Sequence, residues 1–229
     1  MNSKKVERTI TRATIKSAIA ACGALAAVLP PLTASAQCDF FAKNAFGSIW
    51  GTVSDGSRYS LEFYVDAFEH AEKKQPGNNS STGVNFFGGL YDAQTETFYW
   101  GFGQTFGIAF EANKGSAGGI PKAVSASGTI SVQWCDSSDP PKCIPGLDTV
   151  SFTMNLSATK NNNVTRYLST EHRDDGNTKI NEHFDYSSVP ASINDSSITS
   201  EVITNRFGPV VPTFGAVSDS KGHCIEISK

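Results

Sequence analysis

A chain of 229 residues with 19 basic against 22 acidic side chains has no electrostatic grip for nucleic acid or an anionic membrane, both of which call for a basic surface. The exclusion sharpens when the first 36 residues are set apart. They hold five of the basic residues and one acidic, which leaves 14 basic and 21 acidic in 37–229, a net charge near −7. Scarce Met and abundant Ser, Thr, Asn and Gly point to an all-β protein rather than a helical enzyme.

Residues 1–36 read as a secretory signal peptide. Lys4, Lys5, Arg8, Arg12 and Lys16 form a basic leader, an apolar run follows over 18–32, and Ala34-Ser35-Ala36 is a small-residue cleavage signal. Pro30-Pro31 breaks the run, and nothing later approaches the ~20 apolar residues of a membrane span. The expectation is a secreted or periplasmic protein, cut near Ala36, with 37–229 as one domain.

After a lead-in at 37–46, residues 47–53 read as a short strand. Asp55-Gly56 turns into a strand over 58–68 whose dry parity is Tyr59, Leu61, Phe63, Val65 and Ala67. The polar run 69–83 lacks periodicity and reads as a loop, with one helical turn over 67–74. Residues 84–111 are rich in aromatics and glycine and apolar on both parities around 98–102. That pattern suggests a strand covered on both faces, or glycines admitting neighbouring rings.

The clearest signal lies in 122–158. Val124, Ala126, Gly128, Ile130, Val132 and Trp134 alternate with Ser, Thr and Gln, and Val150, Phe152, Met154 and Leu156 do so with Thr, Ser and Asn. Two such runs joined by a short connection predict an antiparallel hairpin on a core. Strands at 164–172 and 178–186 flank an Asp174-Asp175-Gly176-Asn177 turn, 189–203 resumes the alternation, 208–212 is a proline-stiffened crossing, and 213–217 and 224–228 close the sheet. About ten short strands predict a single-domain antiparallel β-sandwich, with a β-barrel as the alternative.

Four cysteines remain after the leader. Cys135 and Cys143 bracket a tight loop between neighbouring strands, and Cys38 and Cys224 lie near the two ends, so the expected disulfides are Cys135–Cys143 and Cys38–Cys224.

Candidate chemistry is sparse. Glu171, His172 and Glu182 would supply the carboxylates and base of a glycan-active hydrolase, because a two-residue turn at 175–176 sets Glu171 opposite Ile180 with Glu182 two places on. The same turn sets His172 opposite Lys179 and about 13 Å from His183, too far for one metal ion. Asp136 and Asp139 in the cysteine loop would give two oxygens of a calcium site, fewer than calcium needs. Tyr99 and Trp100 are neighbours on a strand and so point to opposite faces, which leaves at least one placed to stack on a sugar ring or fill a partner's pocket. No nucleophile elbow, phosphate loop or dinucleotide fingerprint appears, so no cofactor is expected. The reading is an exported, non-catalytic module that binds a glycan or a protein partner. The hydrolase is one alternative, and a toxin whose Ser/Thr-rich hairpins over 149–203 insert into membranes is another.

Overall fold

The computed structural model describes residues 40–74, 77–114, 119–159, 164–174 and 178–228. The leader, Cys38 and the turns at 161–163 and 175–177 lie outside the described residues. All described residues belong to one compact unit, Cys38–Lys229.

The alternating runs become eleven strands: β1 (Phe40–Ser54), β2 (Tyr59–Lys74), β3 (Gly77–Asp92), β4 (Thr97–Phe106), β5 (Ala109–Lys114), β6 (Pro121–Asp136), β7 (Asp148–Ala158), β8 (Thr165–Asp174), β9 (Thr178–Ile193), β10 (Ser197–Thr199) and β11 (Phe214–Ser228). All of them belong to one antiparallel sheet. Eight run in the order β7-β6-β4-β3-β2-β1-β11-β9, and β9 returns to β7 through Leu156↔Ile193, Ser157↔Ser192 and Ala158↔Ala191, closing a ring. β5 pairs with β6, β8 with β9 and β10 with β7.

The dry parities line the inside of this ring. Phe63, Phe86, Ile130, Trp134, Met154, Leu156 and Val217 are all fully buried there. β1 and β11 pack against β6 and β7 across the inside. A Cβ added at Gly47 would lie 2.6 Å from Val124 Cγ1 and 2.8 Å from Met154 Sδ. The walls of the ring therefore touch, and the space between them is filled by buried side chains.

The predicted hairpin is β6–β7, in register from Ala123↔Ser157 to Val132↔Asp148. Elsewhere the strands outrun their sequence signals. The polar run 69–83, read as a loop with a helical turn, forms the ends of β2 and β3, paired through Phe68↔Gly83 and Glu69↔Thr82. The two closing segments are one strand, β11. Backbone pairing needs no dry face, so strands that leave the core lose their periodicity without losing their ladder.

Among the described residues one helix, α1 (Glu201–Phe207), takes over at the end of the alternating run 189–203. Ser200 caps it by accepting from the Ile203 N–H, and Gly208 ends it at φ 72°. The cap is tied to the core through Asp148. This buried carboxylate accepts from Trp134 Nε1 at 2.9 Å, from Ser200 Oγ at 2.7 Å and from the Val202 N–H at 3.4 Å.

Candidate functional site

The informative surface is the outside of β11, β1, β2, β3 and β4. Each strand turns one parity inward, so the other parity forms cross-strand rows on the outside. One row is Phe214–Trp50–Tyr64–Phe87–Phe102, with every member directly opposite the next. Two residues along lies Ala216–Ser48–Asp66–Asn85–Gln104, and two further lies Ser218–Phe46–Phe68–Gly83–Phe106. On the other side of the first row, Glu62, Gly89, Trp100 and Cys135 are in register. Aromatic rows thus alternate with a polar one.

The strand that makes this possible is β4. Its inward positions include Gly101 and Gly103, and its outward positions carry Phe98, Trp100, Phe102, Gln104 and Phe106. A Cβ at Gly101 would lie 2.7 Å from Trp134 Cε3, so the inward glycine makes room for the largest core side chain. The bulk of β4 is therefore outside. Trp100 is 43% exposed, Phe102 and Phe106 are each 61% exposed, and Phe214 is 59% exposed.

Trp100, Phe106 and Phe214 each pack against a neighbouring ring. Phe98 and Trp100 have centroids 4.3 Å apart, Phe87 and Trp100 5.2 Å, and Trp50 and Phe214 stack at 5.6 Å with planes 15° apart. Gly89 supports the first group, since a Cβ there would sit 2.5 Å from the Phe98 ring. Beside Phe214 an open groove of about 420 Å³ runs between 190–193 and 211–215, with Val211 and Pro212 on its wall.

The polar row between the rings changes character along its length. Ser48 and Asp66 are buried, Asn85 is half-buried and Gln104 is exposed. Ser48 Oγ donates to Asp66 Oδ1 at 2.6 Å, and Tyr64 Oη donates to Ser48 Oγ at 3.2 Å. Burial pushes the Asp66 carboxyl up to about 6, against the opposing effect of its hydrogen bonds from Ser48 and Tyr64. Burial, and next the Asp66 charge, push the Tyr64 phenol well up.

The sequence candidates separate. Trp100 is on this outer face, while Tyr99 is partly buried and packs on the core. Cys135 and Cys143 are bonded, and Cys135 lies opposite Trp100, so the staple borders the aromatic face. Asp136 Oδ1 takes the Ser138 and Lys142 N–H groups and the Ser138 hydroxyl, which hold its carboxyl below the usual range. That carboxylate is engaged in shaping its own loop. Asp139 is exposed in the same loop.

No protein-family model matches the chain, and no curated protein matches it. Among solved structures it is similar to a Nitrosomonas europaea protein provisionally named AttH, at 13% identity and a TM-score of 0.33 over 85% of this chain; this chain spans 57% of that one. It is also similar to the β-domain of the Bordetella autotransporter BrkA, at 7% identity and a TM-score of 0.26 over 81% of this chain and 99% of that one. The transport unit of the autotransporter AIDA-I from Escherichia coli gives 8% identity and a TM-score of 0.22 over 95% and 98%. TM-scores this low leave the chain's own geometry to carry any functional reading.

On β8 and β9 the sequence expectation is corrected. Glu171 is opposite Glu182, not Ile180, and His172 is opposite Asn181, not Lys179. The last pair before the turn is Asp174↔Lys179, which leaves four residues between its members and not the two of a tight turn. The side chains of Glu171, His172, Glu182 and Cys224 lie outside the described residues. So does the Cys38–Cys224 bond, although β11 places Cys224 opposite Phe40, two residues after Cys38.

Sequence reasoning missed Phe102, Phe106 and Phe214, as well as Asp66. The aromatics had a readable signal, because glycine at alternate positions of 101–103 marks the parity that cannot fill a core.

Proposed function

We propose that this is an exported, non-catalytic binding protein that recognises glycans through the outer face of β11 and β1–β4. The observation behind this is the register of exposed rings, Trp100 and Phe102 in adjacent rows and Phe106 beyond them, with Gln104 between. Flat rings fixed on a sheet stack on the apolar faces of sugar rings, and amides between them meet hydroxyl groups. Ordering on binding would cost little at Trp100 and Phe106, because each already packs on a neighbouring ring. The chain from 37 to 229 acts as one domain, a flattened β-barrel whose inside is core.

The burial pattern speaks against the pore reading. A transmembrane barrel turns its apolar parity to lipid and its polar parity to the lumen. β6 and β7 do the reverse, with Ile130, Val150 and Met154 buried inside and Thr149 and Thr153 exposed outside.

The test is a glycan array probed with the chain lacking residues 1–36, beside a Trp100→Ala/Phe102→Ala variant. Binding to one glycan class by the first and not the second supports the reading. An array empty for both overturns it.

A further inference from the structure

The outer aromatic face has a length and a charge, and both restrict what lies on it. The row Phe214–Trp50–Tyr64–Phe87–Phe102 crosses five neighbouring strands without a break. Four strand spacings of about 4.8 Å make it about 19 Å long, several times the width of one sugar ring. Phe214 and Phe102 are its exposed ends, and the three rings between them are half-buried.

The charge is one-sided. This row and the three beside it contain no lysine or arginine, and their charged members are Glu62, exposed, and Asp66, buried. A uronate or sulfated sugar would bring anions to a surface that has carboxylates and no counter-charge. Polar side chains flank the row on both sides, Thr52 and Glu62 along one and Asn85 and Gln104 along the other. Hydroxyls at the edges of a stacked sugar ring would meet donors and acceptors there.

From this geometry we infer that the face takes an uncharged linear polysaccharide, laid across the strands from Phe214 to Phe102 and gripped along consecutive sugar rings rather than at its end. Its sugars carry equatorial hydroxyls and linkages, which leave both ring faces apolar for stacking. The inference rests on the glycan reading and adds to it the polymer's charge, its shape and its direction on the sheet.

The experiment is affinity electrophoresis of the chain lacking residues 1–36 through gels containing one polymer each. Hydroxyethylcellulose, mixed-linkage β-glucan and glycol chitin are the neutral, equatorially linked probes. Amylose, with axial linkages, and polygalacturonate, with a carboxylate on each sugar, are the contrasting ones. Retardation by at least one of the first three, and free migration through the other two, is the expected result. Stronger retardation by amylose or polygalacturonate overturns the inference and leaves glycan binding standing. No retardation beside a positive glycan array does the same, whereas an empty array removes the glycan reading itself.

Calorimetry with oligosaccharides of the retained polymer then measures the row. Affinity should rise by at least about tenfold from the disaccharide to the hexasaccharide, as linked contacts reinforce one another. Phe214→Ala and Phe102→Ala, at opposite ends, should each weaken the hexasaccharide by about tenfold, the loss expected for truncating an aromatic anchor. Leu168→Ala, exposed on β8, should change nothing, and circular dichroism on each variant separates lost contacts from unfolding. An affinity that does not grow with length, or a loss confined to one end of the row, overturns the inference.

Discussion

Ser48 Oγ donates to Asp66 at 2.6 Å on the outer side of the sheet, between two rows of aromatic rings. A carboxylate in that setting is disfavoured as an anion, and its folded-state value near 6 stands above the ordinary 3.8. For a group raised on folding, the associated stability is fully present below the unfolded value and is lost as pH rises through the folded one. Between about pH 4 and 6.5, Asp66 should therefore remove up to about 3 kcal/mol of stability. Asp66→Asn keeps an acceptor for Ser48 without the charge. Denaturant melts across this window should show the variant gaining on the parent as pH rises. Parallel curves would refute the assignment.

Asp92 should act in the opposite sense. Arg58 holds its carboxyl well below the usual range through two hydrogen bonds, at 2.8 and 2.6 Å. Its contribution is present above the unfolded value and lost as pH falls through the folded one. Arg58→Gln should flatten the acid end of the stability profile and leave the pH 5–7 slope alone, as measured by thermal melts between pH 2 and 7.

Trp134 ties the core to the helix cap through its 2.9 Å bond to Asp148. Trp134→Phe removes that donor and opens a void, and should cost about 2–4 kcal/mol in urea unfolding. Gly101→Ala tests the other side of the same ring. The new Cβ would press on Trp134 and Val132, and overpacking of this kind costs about 1–3 kcal/mol.

The Cys135–Cys143 staple closes a loop with a sequence separation of 8. In the chain-entropy treatment such a loop contributes about 2.5 kcal/mol. The double change Cys135→Ser/Cys143→Ser should lower the melting temperature accordingly. Because Cys135 is opposite Trp100, it should also broaden the Trp100 indole signal in a nitrogen–proton spectrum. An unshifted, sharp signal would separate the staple from the face.

The sequence was most legible where one side of a strand is dry. β6 and β7 were readable as an antiparallel hairpin, and so was the cysteine pair at their ends. The ends of β2 and β3 were unreadable because both of their sides are polar, and hydrogen-bond ladders leave no mark on composition. In β4 the alternation was present but inverted, with glycine inside and aromatics outside, so a rule that assigns bulk to the core misplaces Trp100 and Phe102. The β8–β9 register depended on a loop length that Asp-Gly suggests but does not fix. α1 carried a readable signature in Ser200, Glu201 and Gly208, overshadowed by the Ser/Thr alternation around it.

Titration calorimetry of an array-selected oligosaccharide against three proteins tests glycan recognition by the outer aromatic face. They are the parent chain, Trp100→Ala and Tyr99→Phe, compared at matched melting temperatures. The expected result is at least about tenfold weaker binding for Trp100→Ala, in line with the more than about 1 kcal/mol lost when a tryptophan hot spot is truncated, and unchanged binding for Tyr99→Phe, whose ring packs on the core. Equal affinity in all three would contradict the outer aromatic face as the binding surface.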